Sequence, residues 1–191
     1  MSKTLADWLC RINSTHHKEI DLGLDRLLRV LNDMSLRPQC PVITVGGTNG
    51  KGSTCAMLES IYSAAGYRVG LFSSPHLIRF NERIRVNDEE MRDQVIVSSF
   101  EEVDSACGEI SLTYFEYSFL AALNIFVQQR VDVIILEVGL GGRLDAANVL
   151  DPICSIVTNI GLDHLDYLGE TREEIGFEKA AIFRGNGAHS I

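Results

Sequence analysis

The chain reads as an α/β protein built on a doubly wound, mostly parallel sheet with a phosphate-binding loop. Three observations lead there. A strand, Val42–Val45, runs directly into the glycine-rich segment Gly46-Gly-Thr-Asn-Gly-Lys-Gly-Ser53 and then into a helical stretch. Two further runs, Val131–Glu137 and Ile153–Thr158, are almost continuously apolar, as strands covered on both faces are. Helical periodicity separates these strands, the alternation expected of parallel βαβ units.

Leu24, Leu27, Leu28 and Leu31 recur at helical spacing, and Leu5–Ile12 is similar, so two helices precede the first strand. The polar segment Thr15–Gly23 between them reads as a loop, with His16 and His17 solvated. The helix after the first strand spans Thr54–Ala65, and Gly66 stops it. Val69–Phe72 is a second short strand, ended by Ser73-Ser-Pro-His76. Arg83–Val86 with Asn87-Asp88 reads as an edge strand and turn, and Phe115–Gln129 as a long buried helix. Thr171-Arg-Glu-Glu174 is a capping box that opens a last helix, Arg172 to about Phe183. The acids of Glu101-Glu102 and Glu173-Glu174 are expected in solvent.

Composition narrows the class. With 191 residues, 46% hydrophobic and 23% charged, the chain resembles an ordinary globular protein. A formal charge of −9 argues against a nucleic-acid partner, because phosphate backbones select basic surfaces. No stretch approaches the ~18 apolar residues of a membrane helix, and the N-terminus lacks signal-peptide character, so no membrane partner is expected. Five scattered cysteines without Cys-x-x-Cys spacing suit reduced thiols in a cytoplasm.

The loop Gly47-Thr-Asn-Gly50-Lys51 places two residues between its first glycine and Gly-Lys, a shortened version of the usual phosphate loop. Glycines let successive N–H groups face one anion, and the helix that follows adds its positive end. Lys51 reaches phosphates there, and Ser53 or Thr54 offers a hydroxyl to Mg²⁺. Ligands of such sheets lie beyond the carboxyl ends of the strands, which directs attention to four segments, 46–53, 73–76, 137–148 and 159–166. Glu137 ends a very apolar strand, where a carboxylate needs a metal or a basic partner such as Arg143. Gly139, Gly141, Gly142 and Arg143 form either an anion-approaching loop or a tight structural turn. His164, in Gly161-Leu-Asp-His-Leu-Asp166, is a metal ligand or a surface histidine. Ser74 is an oxygen ligand or part of a Ser-Pro turn. Phe115 and Tyr117 offer flat faces to a ring-shaped ligand or belong to helix core, and Asp145 offers a hydrogen-bonding edge.

From Leu5 to Arg184 these motifs resemble the folylpolyglutamate synthase/dihydrofolate synthase group of the Mur ligase family, most of all its bifunctional bacterial type. The resemblance rests on Ile20-Asp-Leu-Gly-Leu-Asp-Arg26, Gly47–Ser53, Ser73-Ser-Pro-His-Leu77, Leu112-Thr-Tyr-Phe-Glu-Tyr117, Leu136–Ala146, Leu162-Asp-His164 and Glu178-Lys-Ala-Ala-Ile-Phe183. It implies an ATP-dependent ligase of folate biosynthesis: ATP phosphorylates a carboxylate of dihydropteroate or a folate, and L-glutamate's amine attacks the acyl phosphate. By position, Asn49, Gly50, Lys51, Gly52 and Ser53 would hold the ATP phosphates. Ser74, Glu137 and His164 would ligate two Mg²⁺ ions. Lys51, His164 and Lys179 would be catalytic, with Lys179 carbamylated. Ile20, Asp21, Leu22 and Gly23, then Phe115, Glu116, Tyr117 and Ser118, then Leu144, Asp145 and Ala146, would line the pterin pocket. Ala181 stands where the family usually has glycine.

The resemblance further implies a monomer whose partners are small molecules: dihydropteroate, folates, L-glutamate and ATP. Residues 1–184 would be an ATP- and pterin-binding domain, incomplete relative to the family, and 185–191 a polar tail, with the C-terminal glutamate-binding domain absent. On that expectation the chain by itself lacks ligase activity; the competing expectations are a binding-only or inert fragment and a generic phosphate-loop NTPase.

Overall fold

The computed structural model describes residues 3–184 and the backbone of 189–190. In chain order the elements are α1 (Leu5–Thr15), α2 (Asp25–Asp33), β1 (Val42–Gly46), α3 (Lys51–Ala64), β2 (Val69–Phe72), β3 (Ile84–Val86), β4 (Glu89–Glu90), α4 (Asp93–Cys107), α5 (Tyr114–Gln128), β5 (Val133–Glu137), β6 (Cys154–Val157), α6 (Leu165–Leu168), α7 (Arg172–Ala180) and β7 (His189–Ser190). The expected tail, 185–191, lies outside the described residues except where β7 pairs parallel with β6.

The sheet has the order β4-β3-β2-β5-β1-β6-β7. Every pairing from β2 to β7 is parallel, and β3 and β4 are antiparallel. The hairpin between them turns on Asn87 and Asp88, whose φ values of 53° and 62° twist it to match the strands. β3 is therefore an interior strand, and β4 rather than Arg83–Val86 is the edge.

Strand pleating explains the three layers. Successive side chains of β5 alternate between two apolar clusters: Val133 and Ile135 pack toward Cys55, Leu58 and Tyr62 of α3, while Ile134 and Leu136 pack toward α1, α2, α4 and α5. Burial of each such side chain is worth roughly 1.5–3 kcal/mol, so a strand apolar on both faces commits helices to both. Gly70 in β2 lets α5 approach, since a Cβ there would stand 2.8 Å from the Phe126 ring.

α5 begins at a capping box, Thr113 with Glu116, and is buried almost throughout. The predicted box Thr171–Glu174 opens α7, which ends at Ala180, three residues short of the expected Phe183. α4 and α6 have no counterpart in the periodicity reading, although Ile96, Phe100, Val103 and Cys107 give α4 a buried stripe. All five cysteines are free thiols. No helix among the described residues is long and apolar enough to cross a membrane.

Candidate active site

The glycine-rich loop turns sharply where β1 ends. Gly47 has φ 141°, and a Cβ there would collide with the Thr158 hydroxyl at the end of β6; Gly50, at φ 85°, starts α3. The loop is stapled to the segment after β6: Asn49 N–H donates to Asn159 Oδ1 (2.9 Å), Gly161 N–H to Thr48 Oγ1 (2.9 Å), and Thr158 Oγ1 to Asn49 O (2.7 Å). Helix α3 starts at Lys51 rather than Thr54, because Gly50's left-handed backbone already sets the first turn. Gly52 and Ser53 thus present first-turn N–H groups at a positive helix end. Of the two candidate hydroxyls, that of Thr54 donates to Gly50 O (2.9 Å), while Ser53 is exposed.

Two lysines meet at this loop. Lys51 Nζ donates to Gly47 O (3.0 Å) and Thr48 O (3.3 Å), and Lys179 Nζ reaches the same Gly47 O (3.1 Å) from α7. Lys179 is buried, and burial with the neighbouring Lys51 charge holds its ammonium below its ordinary pKa. Glu137, at the end of β5 and only 4% exposed, accepts Ser74 N–H at Oε2 (3.1 Å). Burial raises its pKa, opposed by that hydrogen bond and by Lys51 and Arg83. A Cβ on Gly52 would stand 3.7 Å from the Glu137 carboxylate, which places that acid beneath the first turn of α3.

Arg143 does not pair with Glu137, nor is it free to clamp an anion. Its guanidinium binds Glu178 of α7 (Nε–Oε1 3.0 Å, Nη2–Oε1 2.9 Å). The adjacent glycines serve packing: a Cβ on Gly142 would stand 2.8 Å from Glu178 O, and Gly139 and Leu140 donate their N–H groups to Asp145 Oδ2 (3.0 and 2.9 Å).

A cleft of about 250 Å³ opens beside this crevice. Nine of the expected pterin-lining residues border it: Ile20–Gly23, Phe115, Glu116 and Leu144–Ala146, together with Ser74 and His164. Tyr117 and Ser118 do not. Helical geometry turns Tyr117 into the core, where its hydroxyl donates to Phe100 O (3.2 Å), and Ser118 Oγ donates to Tyr114 O (2.7 Å). Among the described residues Phe115 alone supplies the aromatic wall, closely covered by Gly139, where an added Cβ would stand 2.7 Å from the ring. Asp145 is buried, so its pKa rises to about 6 although three backbone N–H groups favour its charged form.

Several partners escape sequence periodicity because contacts distant in sequence create them. Arg26 bonds Asp21 (Nη1–Oδ2 2.6 Å) and Glu116 (Nε–Oε2 2.9 Å), tying the 20–23 wall to α5. His16 is not solvated: its ring nitrogens lie 2.9 Å from Ser111 Oγ and 3.2 Å from Asp21 Oδ2. Arg83 and Thr113 also border the cleft.

His164 is half exposed, has a left-handed backbone (φ 49°) and stands 3.7 Å from Asp163. Among the described residues no three His, Cys, Asp or Glu side chains are placed to hold a metal by themselves. Oxygen donors from Glu137 and Ser74 still fit Mg²⁺, which takes one or two protein ligands and completes its shell with water and phosphate oxygens.

Residues 45–191 match the family model of the Mur ligase middle domain. The chain is 56% identical over 181 residues to the dihydrofolate synthase/folylpolyglutamate synthase of Escherichia coli, covering 94% of this chain and 43% of that protein. The solved E. coli FolC in complex with DHPP and ADP superposes with a TM-score of 0.95 at 54% identity, over 97% of this chain and 45% of the other. A bifunctional folylpolyglutamate synthase/dihydrofolate synthase with Mn, AMPPNP and L-glutamate bound gives 0.90 at 49% identity, over 97% and 45%. The chain thus spans less than half the length of these relatives.

Proposed function

The chain belongs to the Mur ligase family, and on that premise we propose that it is the ATP- and pterin-handling part of a ligase joining L-glutamate to dihydropteroate or a folate. The observation that carries this reading is the position of Ser74: its N–H donates to Glu137 beneath the phosphate loop, and the same residue borders the Phe115 cleft. A carboxylate carried by a ring seated on Phe115 would therefore face the nucleotide side of the crevice. A generic phosphate-loop NTPase has no use for that second cleft.

In this reading the N–H groups of Gly50, Gly52 and Ser53, with Asn49 and Lys51, hold the ATP phosphates, and Lys51 offsets charge that grows during transfer. Glu137, Ser74 and His164 would hold two Mg²⁺ ions, which when bound neutralise phosphate charge and draw the reacting oxygens together. Burial keeps Glu137 in a setting where charge is poorly screened, and the half-buried Lys51 stands beside it, which strengthens contacts made to an anion there. Lys179, with its depressed pKa, keeps more free amine than a solvated lysine. Addition of CO₂ to that amine, with loss of a proton, would give a carbamate that supports the metal site. Ile20–Gly23, Phe115, Glu116 and Leu144–Ala146 seat the pterin, and Asp145 orders the loop behind it.

We also read residues 1–184 as one domain working as a cytoplasmic monomer, with the glutamate contacts supplied by polypeptide beyond this chain. Purified chain titrated with MgATP and with pteroate should bind both. ADP release with dihydropteroate, L-glutamate and MgATP, measured beside the E. coli relative, then shows whether amide formation needs more than these residues. Failure to bind either ligand would remove the reading.

A further inference from the structure

Arg83 borders the cleft without an ion-pair partner among the described residues. It is 9% exposed, between the end of the 3₁₀ turn Phe80–Arg83 and β3. Its Nε donates to His76 Nδ1 (2.7 Å), a neutral acceptor, since a ring nitrogen that receives a hydrogen bond carries no proton. The guanidinium carbon lies 5.4 Å from the Tyr114 ring centre and 6.0 Å from that of Phe80. Among the described residues no carboxylate forms a salt bridge with it, whereas Arg26, Arg79, Arg85 and Arg143 each have at least one. Tyr114 and, more weakly, Glu137 favour its charge electrostatically, and no hydrogen bond joins Arg83 to Glu137.

A buried cation held by an imidazole and two aromatic rings is oriented but not neutralised. Desolvation costs several kcal/mol per ion unless an opposite charge answers it, and the rings return ~0.5–2 kcal/mol each. Arg83 also borders the cleft together with Ser74, Pro75 and Phe115. With Nε occupied, its two terminal nitrogens remain to bind, and their planar fork matches a carboxylate edge-on.

We propose that Arg83, braced by His76, is the anion subsite of this cleft and binds the carboxylate of the ring-bearing substrate. This rests on the pteroate reading above. The site lies between the aromatic wall, which takes the ring, and Ser74–Glu137, which faces the nucleotide. A bidentate grip there would fix one face of the carboxylate and select charged acids over their esters or amides. Arg83 would touch substrate directly, and His76 would act through it as a positioning residue.

The test uses the 191-residue chain and two probes, pteroate and pteroate methyl ester. The wild type should bind the acid at least about tenfold more tightly than the ester, as loss of a charge-assisted pair implies. Arg83→Met should bring acid affinity down to ester affinity while changing ester and ATP binding less than about twofold; Arg83→Lys should fall between. Equal acid affinity in wild type and Arg83→Met would overturn the proposal. Because a variant can misfold, the Arg83 Nη resonances of the wild type are followed by NMR in parallel titrations with pteroate, 4-aminobenzoate and inorganic phosphate. Movement with the carboxylates supports the subsite. Movement with phosphate alone, or with none of the three, overturns it. If pteroate fails to bind but 4-aminobenzoate shifts Arg83, the pteroate reading falls and the carboxylate subsite stands.

Discussion

Lys51 and Lys179 donate to one oxygen, the Gly47 carbonyl, at 3.0 and 3.1 Å. One lysine comes from the first turn of α3, the other from the last turn of α7. Two ammonium groups on one acceptor repel, and the arrangement persists because neighbouring carbonyls and Glu137 offset part of their charge. In the proposed reading, an incoming polyphosphate at Lys51 would relieve the repulsion, as would conversion of Lys179 to a carbamate.

Lys51→Met should therefore weaken ATP binding at least about tenfold and leave the melting temperature unchanged or slightly raised, because a like charge beside Lys179 is removed. Calorimetric titration and a thermal melt check both halves. Unchanged ATP affinity would take the phosphate role from this loop.

The depressed pKa of Lys179 has a defined pH signature. The unfolded chain keeps the proton up to about 10.5, whereas the folded chain releases it at lower pH. Between the two the unfolded state binds more protons, so stability rises with pH through that interval. The difference in urea midpoint between wild type and Lys179→Met should grow more favourable to the wild type from pH 7 toward 10.5. A pH-independent difference would mean that Lys179 titrates normally.

Glu137→Gln should move stability and binding in opposite directions. A buried carboxylate with a raised pKa costs stability when ionised at pH 7, while the amide oxygen can still accept the Ser74 N–H. A gain of about 1 kcal/mol, or roughly 2–4 °C, is expected, together with a higher Mg²⁺ requirement for ATP binding. A lower melting temperature with unaltered Mg²⁺ dependence would make Glu137 purely structural.

Arg26→Met removes the cation shared by Asp21 and Glu116, leaving Glu116 buried with only the Thr113 contacts. A loss of about 2–4 kcal/mol is expected, with weaker pteroate binding because the Ile20–Gly23 wall loosens. Glu116→Gln combined with Arg26→Met should recover part of the stability. Simple addition of the two losses in urea denaturation would show that the pair does not interact.

Gly139→Ala puts a methyl group 2.7 Å from the Phe115 ring. A destabilisation of about 1–3 kcal/mol and a drop in pteroate affinity should appear together, with ATP affinity unchanged. Unaltered pteroate binding would show that the ring position is immaterial.

The sequence alone determined the layered architecture, the strand-to-loop-to-helix order around Lys51 and the identity of most cleft-bordering residues. The first two follow from local rules, in which two-sided burial makes a strand apolar throughout, a left-handed turn calls for glycine, and a helix start calls for a cap, whereas the cleft residues came from motifs that resemble a known family. Phe115–Ser118 shows the limit of such rules. Motif proximity grouped four residues, yet only Phe115 and Glu116 border the cleft, because a helix turns each successive side chain by about 100°. Tertiary structure alone decided which charges meet. Arg143 took Glu178, Arg26 bridged Asp21 and Glu116, Lys179 joined Lys51 at Gly47 O, and Arg83 was left at the cleft with no acid partner among the described residues. Pair energies depend on separations of a few ångströms and on burial, and spacing along the chain determines neither once the partners lie on different elements.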